Sequence, residues 1–261
     1  MTLGGQGQST MVRSAQNTSV VLLAALSAAV LALFAPGAPA IAAEGAGSGP
    51  YMRLFGGYSF LESPSIQGDQ ISNGNTGALI NRGDMRTSGG PWGGLSGGYR
   101  WGNLRLEGMG TYEGHSAESF SSPQFTYLDS TGTVRTETNT NPQLNGDVKI
   151  FTGFVNAVLD ADFGAPIVPF FGAGVGFASV NMDNVTGTSR GNSFNLADQT
   201  DTVLAFQALV GAGYKVNEMF TAEIGYRFLT LNNPTFNNGG AGEFELGIDS
   251  HQVWLGLRVN F

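Results

Sequence analysis

Charged side chains that could form an ion gate recur in this 261-residue sequence. They lie on the polar face of several segments in which apolar and polar residues alternate. Inside a narrow enclosure, such a mixed set could open a path when its members exchange partners. The same set could instead form a static plug of salt bridges, because buried charges persist only when they are paired. The pattern favours the plug over the gate, and both interpretations exclude a wide aqueous pore. The set consists of Arg53, Arg100, Arg105, Glu107, Asp160, Lys215, Glu223, Arg227 and Arg258.

A glycine-rich segment, GAGVGF at residues 172–177, partly matches the dinucleotide-binding fingerprint. The fingerprint requires Gly at the sixth position and a helix after it, whereas Phe177 occupies that position and ASVNMD continues a strand pattern. Glycine at every second residue indicates one face of a strand that its neighbours approach closely. Nucleotide binding is therefore excluded, and no cofactor is expected.

The two histidines are candidates for the base of a lipid-modifying hydrolase. His115 could act with Ser116, and His251 with Ser250. A nucleophile needs a base and an orienting group within reach, and neither spacing repeats a known pattern. Polar residues at a membrane interface are the favoured interpretation, so no catalytic residue is assigned.

A short adhesion-type motif, Arg82-Gly83-Asp84, lies in a long polar segment. It could be bound by an integrin-type receptor. A tripeptide match carries little information, and Gly beside Asp is ordinary turn chemistry. Adhesion through this motif is therefore kept only as a minor possibility.

The composition is not that of a typical soluble domain. Charged residues make up 12% of the chain, against roughly 25% in average usage. The net charge is −8 and no basic patch is present, so nucleic acid is not expected as a partner. Cysteine is absent, which excludes disulfides and Cys-based metal sites.

The N-terminal segment has the pattern of an export signal. An apolar run at residues 19–34 is followed by APAIAA, which offers small residues for a signal peptidase. A single membrane anchor is the alternative, but the run is shorter than the ~20 residues that a spanning helix needs. We predict a cleaved signal peptide at residues 1–42, with Met11 as a possible start, then a short periplasmic segment at 43–50 and a barrel at 51–261.

Alternation of apolar and polar residues predicts eight strands. Short turns and long polar connections alternate between them, with the long connections at about residues 61–90, 114–147, 181–202 and 231–250. This layout is typical of a bacterial transmembrane barrel with short periplasmic turns and long external loops. The predicted strands cover residues 51–60, 91–101, 104–113, 148–161, 167–180, 203–216, 220–230 and 251–261.

The alternation alone does not say which face points inward. In a soluble barrel the apolar face would be the interior. Here the polar face is rich in Gly and poor in Lys, which suits the tight interior of a narrow barrel, and aromatic residues stand at the strand ends, as in membrane girdles. We therefore predict an all-β, eight-stranded antiparallel up-and-down transmembrane barrel with its apolar face toward lipid.

Four segments resemble the eight-stranded outer-membrane β-barrel family, which includes the OmpA-type transmembrane domain and opacity-type small surface proteins. They are PYMRLFGGYSF, GLSGGYRWGNLRLEGMGTYEG, PFFGAGVGFASV and VWLGLRVNF. The resemblance covers residues 51–261 and implies insertion in the cell outer membrane of a Gram-negative-type cell, among lipid and lipopolysaccharide. It also implies a C-terminal sorting signal recognised by the barrel-assembly machinery, formed by Val253, Leu255, Leu257, Val259 and Phe261.

The expected function is a non-enzymatic, structural or surface-exposed role that supports envelope integrity. Its long loops could contact an external ligand or a host surface. A narrow porin-like channel for small solutes or ions is the alternative, and a lipid-modifying enzyme is the least favoured possibility.

Overall fold

The computed structural model describes residues 48–68, 79–80, 83–128, 134–141, 143–189, 192–237 and 243–261, and the predicted signal peptide lies outside this range. No helix within these residues is long and apolar enough to cross a membrane. The strands are β1 (Gly49–Gly68), β2 (Leu79–Ile80), β3 (Gly83–Thr87), β4 (Gly90–Trp101), β5 (Leu104–Leu128), β6 (Val134–Thr140), β7 (Gln143–Asp160), β8 (Ile167–Ser189), β9 (Asn192–Lys215), β10 (Phe220–Leu231), β11 (Thr235–Asn237) and β12 (Glu243–Asn260).

Eight of these strands close into one antiparallel barrel, which confirms the predicted fold. Each pairs with the next along the chain, in the order β1, β4, β5, β7, β8, β9, β10 and β12. The last strand then pairs with the first, from Tyr51 opposite Asn260 to Phe60 opposite His251. Phe261 continues this closure, because its backbone N–H donates to the carbonyl of Pro50 at 3.0 Å.

The apolar parity points outward, as predicted. Leu54 and Leu255 are 70% and 67% exposed, although each lies in the middle of a paired strand. Aromatic residues flank this apolar belt on its two edges, where amphipathic rings sit in membranes. They are Tyr58, Phe60, Tyr112 and Tyr226 on one edge, and Tyr99, Trp101, Tyr214 and Phe261 on the other.

The short turns join the strands at one end of the barrel, which we call the turn end. They are residues 102–103, 161–166 and 216–219. Gly102 has a φ of +57°, a left-handed conformation that glycine adopts without the penalty that a Cβ imposes. The opposite end of the barrel is called the far end.

The described parts of the four predicted long loops are mostly strand, and that part of the prediction was wrong. β5 has 25 residues and β8 has 23, whereas a membrane crossing uses about 9–11. The strands therefore continue well beyond the apolar belt at the far end. The short strands β2, β3, β6 and β11 pair with these extensions.

The extensions are stable because the two faces of each strand change in polarity where the belt ends. The inward face changes from mainly polar to apolar, and the outward face changes from apolar to polar. On β7, Phe151 points outward, and beyond it Ile150 and Val148 are buried inside while Lys149 lies outside. β8 shows the same change, with Val180 and Met182 inside and Asn181 exposed. Water replaces lipid around the wall at this height, so the hydrophobic effect selects an apolar interior.

This change of polarity predicts a large loss of stability for a carboxylate at one residue of β8 and almost none for a carboxylate at its neighbour. Met182→Asp places a carboxylate in the apolar interior and should lower the free energy of unfolding by about 3 kcal/mol. Asn181→Asp points into water and should leave it nearly unchanged. Urea unfolding of the barrel in phospholipid vesicles, followed by tryptophan fluorescence, measures both. Equal effects would contradict the change of polarity.

Candidate functional site

The predicted charged residues line the lumen near the turn end. Seven of the nine are buried, while Arg100 and Lys215 are partly exposed at the rim. The alternation of each strand puts these side chains inside, and the closeness of the short turns sets their height. The buried seven are Arg53, Arg105, Glu107, Asp160, Glu223, Arg227 and Arg258.

Six of them form a connected ion-pair layer across the lumen. Arg53 contacts Glu107 at 2.7 Å and Glu223 at 3.2 Å. Glu223 also lies 3.1 Å from Arg258 and 3.7 Å from Arg105. Asp160 completes the layer through Arg105, at 2.8 Å. Three arginines thus face three carboxylates, and the layer has no net formal charge.

Neutral side chains hold the layer in place. The Tyr51 hydroxyl donates to Glu107 at 2.7 Å, and the Asn156 amide donates to the other oxygen of the same carboxylate at 3.1 Å. Arg53 lies over the Trp254 ring, 4.9 Å from its centroid. Sequence reasoning missed the roles of Tyr51 and Asn156, although both lie on the inward parity.

Arg227 stands apart from the layer, which departs from the single layer that the sequence predicts. It lies 5.0 Å from the Trp92 ring centroid and 5.5 Å from that of Phe154, and it donates to the Thr111 hydroxyl at 3.2 Å. No carboxylate in the described part of the chain forms an ion pair with it. Its Nε and Nη2 atoms are buried without a hydrogen-bond partner among these residues.

A second polar cluster lies farther toward the far end, around Glu113. One oxygen of this carboxylate accepts from Ser59 at 2.7 Å and from the Gln252 amide at 2.9 Å, and it lies 3.2 Å from His115 Nε2. Ser250 contacts the Ser59 hydroxyl at 2.9 Å. Buried polar groups persist when such bonds satisfy them.

The hydrolase candidates are not brought together. His115 is inside the barrel, whereas Ser116 is exposed and donates to Asp147 at 3.4 Å. His251 is on the outer wall, where it contacts the Tyr226 hydroxyl at 2.6 Å, and Ser250 points inward. Neither pair has the serine–histidine contact that a hydrolase of this type needs.

The turn-end rim contains a smaller network centred on Asp162. Lys215 donates to both of its carboxylate oxygens, at 3.0 and 2.8 Å, and Arg100 donates to it at 3.2 Å. The Lys215 hydrogen bond lowers the pKa of Asp162 below its usual value. Arg100 also lies 3.9 Å from the Asp160 carboxylate, so it connects the rim network to the ion-pair layer, whereas Lys215 belongs to the rim network.

The remaining predicted sites fall on strands. Gly83 and Asp84 belong to β3, and Asp84 pairs with Ser121 of β5, whereas Arg82 lies outside the described residues. The segment GAGVGF lies within β8, as its alternating glycines predict. The predicted sorting residues form the outward row of β12 together with the C-terminal residue, and their recognition by assembly machinery stays a prediction. They are Val253, Leu255, Leu257, Val259 and Phe261.

Residues 19–261 match the family described as the outer membrane protein beta-barrel domain. An outer membrane protein of Gluconacetobacter diazotrophicus is 30% identical over 238 residues, which are 82% of this chain and 58% of that protein. The match thus spans less than two thirds of that relative. An uncharacterized protein of Brucella abortus is 25% identical over 205 residues, which are 70% of this chain and 72% of that protein.

Two solved structures are also similar in shape. Neisserial surface protein A is 18% identical, covers 82% of this chain and 99% of its own, and has a TM-score of 0.47. The outer membrane protein OprG from Pseudomonas aeruginosa is 14% identical, covers 82% of this chain and 96% of its own, and has a TM-score of 0.48.

The ion-pair layer predicts a large effect for its most connected carboxylate. Glu223→Ala leaves three buried arginines with fewer counter-ions and should lower the free energy of unfolding by about 3–5 kcal/mol. Glu218→Ala, in the exposed turn before β10, should have no measurable effect. The urea midpoint of the vesicle-embedded barrel measures both, and a small loss for Glu223→Ala would show that the layer does not depend on it.

Proposed function

The chain belongs to the outer membrane protein beta-barrel domain family, and on that premise we propose that it is a non-enzymatic structural barrel, sealed through its lumen. Its place is the cell outer membrane, with the apolar belt in lipid. In this proposal the turn end faces the periplasm and the far end stands outside the cell. Its role is to support the envelope and to present a folded surface.

The observation that carries this proposal is the neutral ion-pair layer. Arg53, Glu107 and Glu223 meet in the lumen within hydrogen-bonding distance and are almost fully buried. An ion that crossed would have to separate these pairs and leave buried charges without partners, which is strongly unfavourable. The layer therefore acts as a seal rather than as a pore lining.

The far end supports the surface role. Its interior is apolar and packed, so the extended wall is a folded body rather than a set of loose loops. Its outer face exposes more acidic than basic side chains among the described residues. The exposed acidic residues there are Glu62, Asp84, Glu118, Asp147 and Glu245, against the exposed Arg86 and the partly exposed Lys149.

A narrow channel is the second candidate, and one observation favours it. Arg227 Nε and Nη2, Glu113 Oε1 and Gln252 Oε1 are buried without hydrogen-bond partners among the described residues. Water could satisfy these donors and acceptors together. A hydrated stretch above the ion-pair layer would shorten the barrier that an ion has to cross.

Single-channel recording of the refolded barrel in a planar bilayer separates the two candidates. The sealed barrel should show no steady conductance. Glu107→Ala should also stay silent, because Glu223 still pairs Arg53 and the lumen stays filled. Glu118→Ala, on the exposed wall of β5, is the matched control.

Steady conductance in the wild type that rises in Glu107→Ala would favour the narrow channel over the sealed barrel. Conductance that appears only in Glu107→Ala would show that this one carboxylate closes a real path. The first result would refute the sealed barrel, whereas the second would refute only the expectation that the lumen stays filled without the Glu107 carboxylate.

A further inference from the structure

A three-residue strand closes the apolar interior at the far end. β11 carries Phe236, which is fully buried and belongs to the apolar cluster that fills the barrel interior, as do the neighbouring far-end residues Leu231, Leu246 and Ile248. β11 pairs with β12 through only three residue pairs, from Thr235 opposite Glu245 to Asn237 opposite Glu243. A bulky apolar side chain is thus held inside by a very short strand.

The wall beside β11 is not a continuous ladder. The pairing of β9 with β10 ends where Ala205 faces Leu231. Residues 201–204 of β9 have no strand pairing toward β10 or β11 among the described residues. We call this unpaired stretch of the wall the seam. Below this seam, Asn232 N–H still donates to the carbonyl of Leu204 at 2.9 Å.

One carboxylate spans the seam in place of the ladder. Asp201 Oδ2 accepts from the backbone N–H of Thr235 on β11, at 2.8 Å. Its Oδ1 accepts from the backbone N–H of Thr202 on β9, also at 2.8 Å. Asp201 therefore fastens β11 to the wall and satisfies an N–H of β9.

The chain between β10 and β11 bends sharply. Asn233 has a φ of 33°, in the left-handed region that Asn tolerates better than most residues. Pro234 follows it and has no N–H to extend the pairing of β10. Movement of β11 about these two residues would break its three-residue pairing with β12 and the bond from the Leu246 N–H to the Pro234 carbonyl, but it would leave the β9–β10 ladder intact.

We propose that residues 232–237 form a lid over an apolar binding site, with Phe236 as its plug and Asp201 as its latch. When the lid lifts, the space of the Phe236 ring becomes a cavity lined by Leu231, Leu246 and Ile248. An apolar cavity of this kind stays dry and accepts apolar molecules.

The occupant is a neutral molecule with a hydrocarbon chain. Among the described residues, Leu231, Leu246 and Ile248 offer no charged partner, and the carboxylates of Asp201 and Glu245 near the opening disfavour an anionic head group. Leu204 and Phe206 are exposed on the outer wall directly below the seam, so the opening adjoins the lipid belt from which such a molecule would come. The Glu113 cluster closes the site from below, which makes it a site for binding and not for passage.

Photolabelling with a diazirine-bearing fatty alcohol tests this site in the full barrel, refolded in phospholipid vesicles. The chain contains no cysteine, so Thr235→Cys with Glu245→Cys, which face each other on the exposed side of the β11–β12 ladder, creates one disulfide that holds the lid on β12. Mass spectrometry verifies its formation. Labelled residues are mapped by peptide sequencing. Labelling of Leu204 and Phe206 reports the belt, and labelling of Leu231, Leu246 and Ile248 reports the interior site.

Interior labelling should be present in the reduced protein and lost in the oxidised protein, while belt labelling stays the same. Asn181→Cys with Thr200→Cys, which face each other on the intact β8–β9 ladder, is the control whose oxidation should change nothing. Without any disulfide, Asp201→Ala should raise interior labelling above the wild-type level, and Asp147→Ala should not. Interior labelling that is insensitive to the lock, or absent from both the reduced protein and Asp201→Ala, would overturn the proposal.

Discussion

Closure of β12 on β1 is the constraint on which the rest of the structure depends. In lipid an unpaired backbone edge leaves donors and acceptors unsatisfied, so the wall has to be continuous across the belt. A closed wall of eight strands encloses a space only wide enough for side chains. The inward residues must therefore fill that space and satisfy one another. The ion-pair layer, the rings beside Arg227 and the Glu113 cluster are three solutions at successive heights.

The membrane part of the fold could be predicted because lipid imposes one simple pattern. Each strand there alternates between an apolar outward residue and a small or polar inward one, and the pattern ends in an aromatic residue. The far end was missed because the pattern changes phase. Adjacent apolar residues, Ile150 and Phe151 on β7, mark the change, and beyond them the polar residues face outward. A search for one fixed pattern, with apolar residues outward and polar residues inward, therefore interprets this stretch as a loop.

The candidate site could be predicted as a set of residues but not as a set of contacts. Parity identifies which charges point inward, and distance from a turn gives their approximate height. Partners depend on the stagger between strands, which the sequence does not display. Thus Arg227 is seven residues into β10, high enough to leave the layer and contact Trp92 instead. Tyr51 was overlooked because an aromatic residue on a membrane strand is expected to face lipid.

The partners of the ion-pair layer are also far apart along the chain. Arg53 is on the first strand, and its partner Glu223 is 170 residues later, on the seventh barrel strand. The first six barrel strands hold two arginines of the layer, Arg53 and Arg105, and two of its carboxylates, Glu107 and Asp160. The last two strands add Glu223 and Arg258, which lie 3.1 Å apart and join the earlier pairs into one network. Completion of the layer therefore requires both ends of the barrel, and a polypeptide that ended between β10 and β12 would hold Glu223 in the lumen without Arg258.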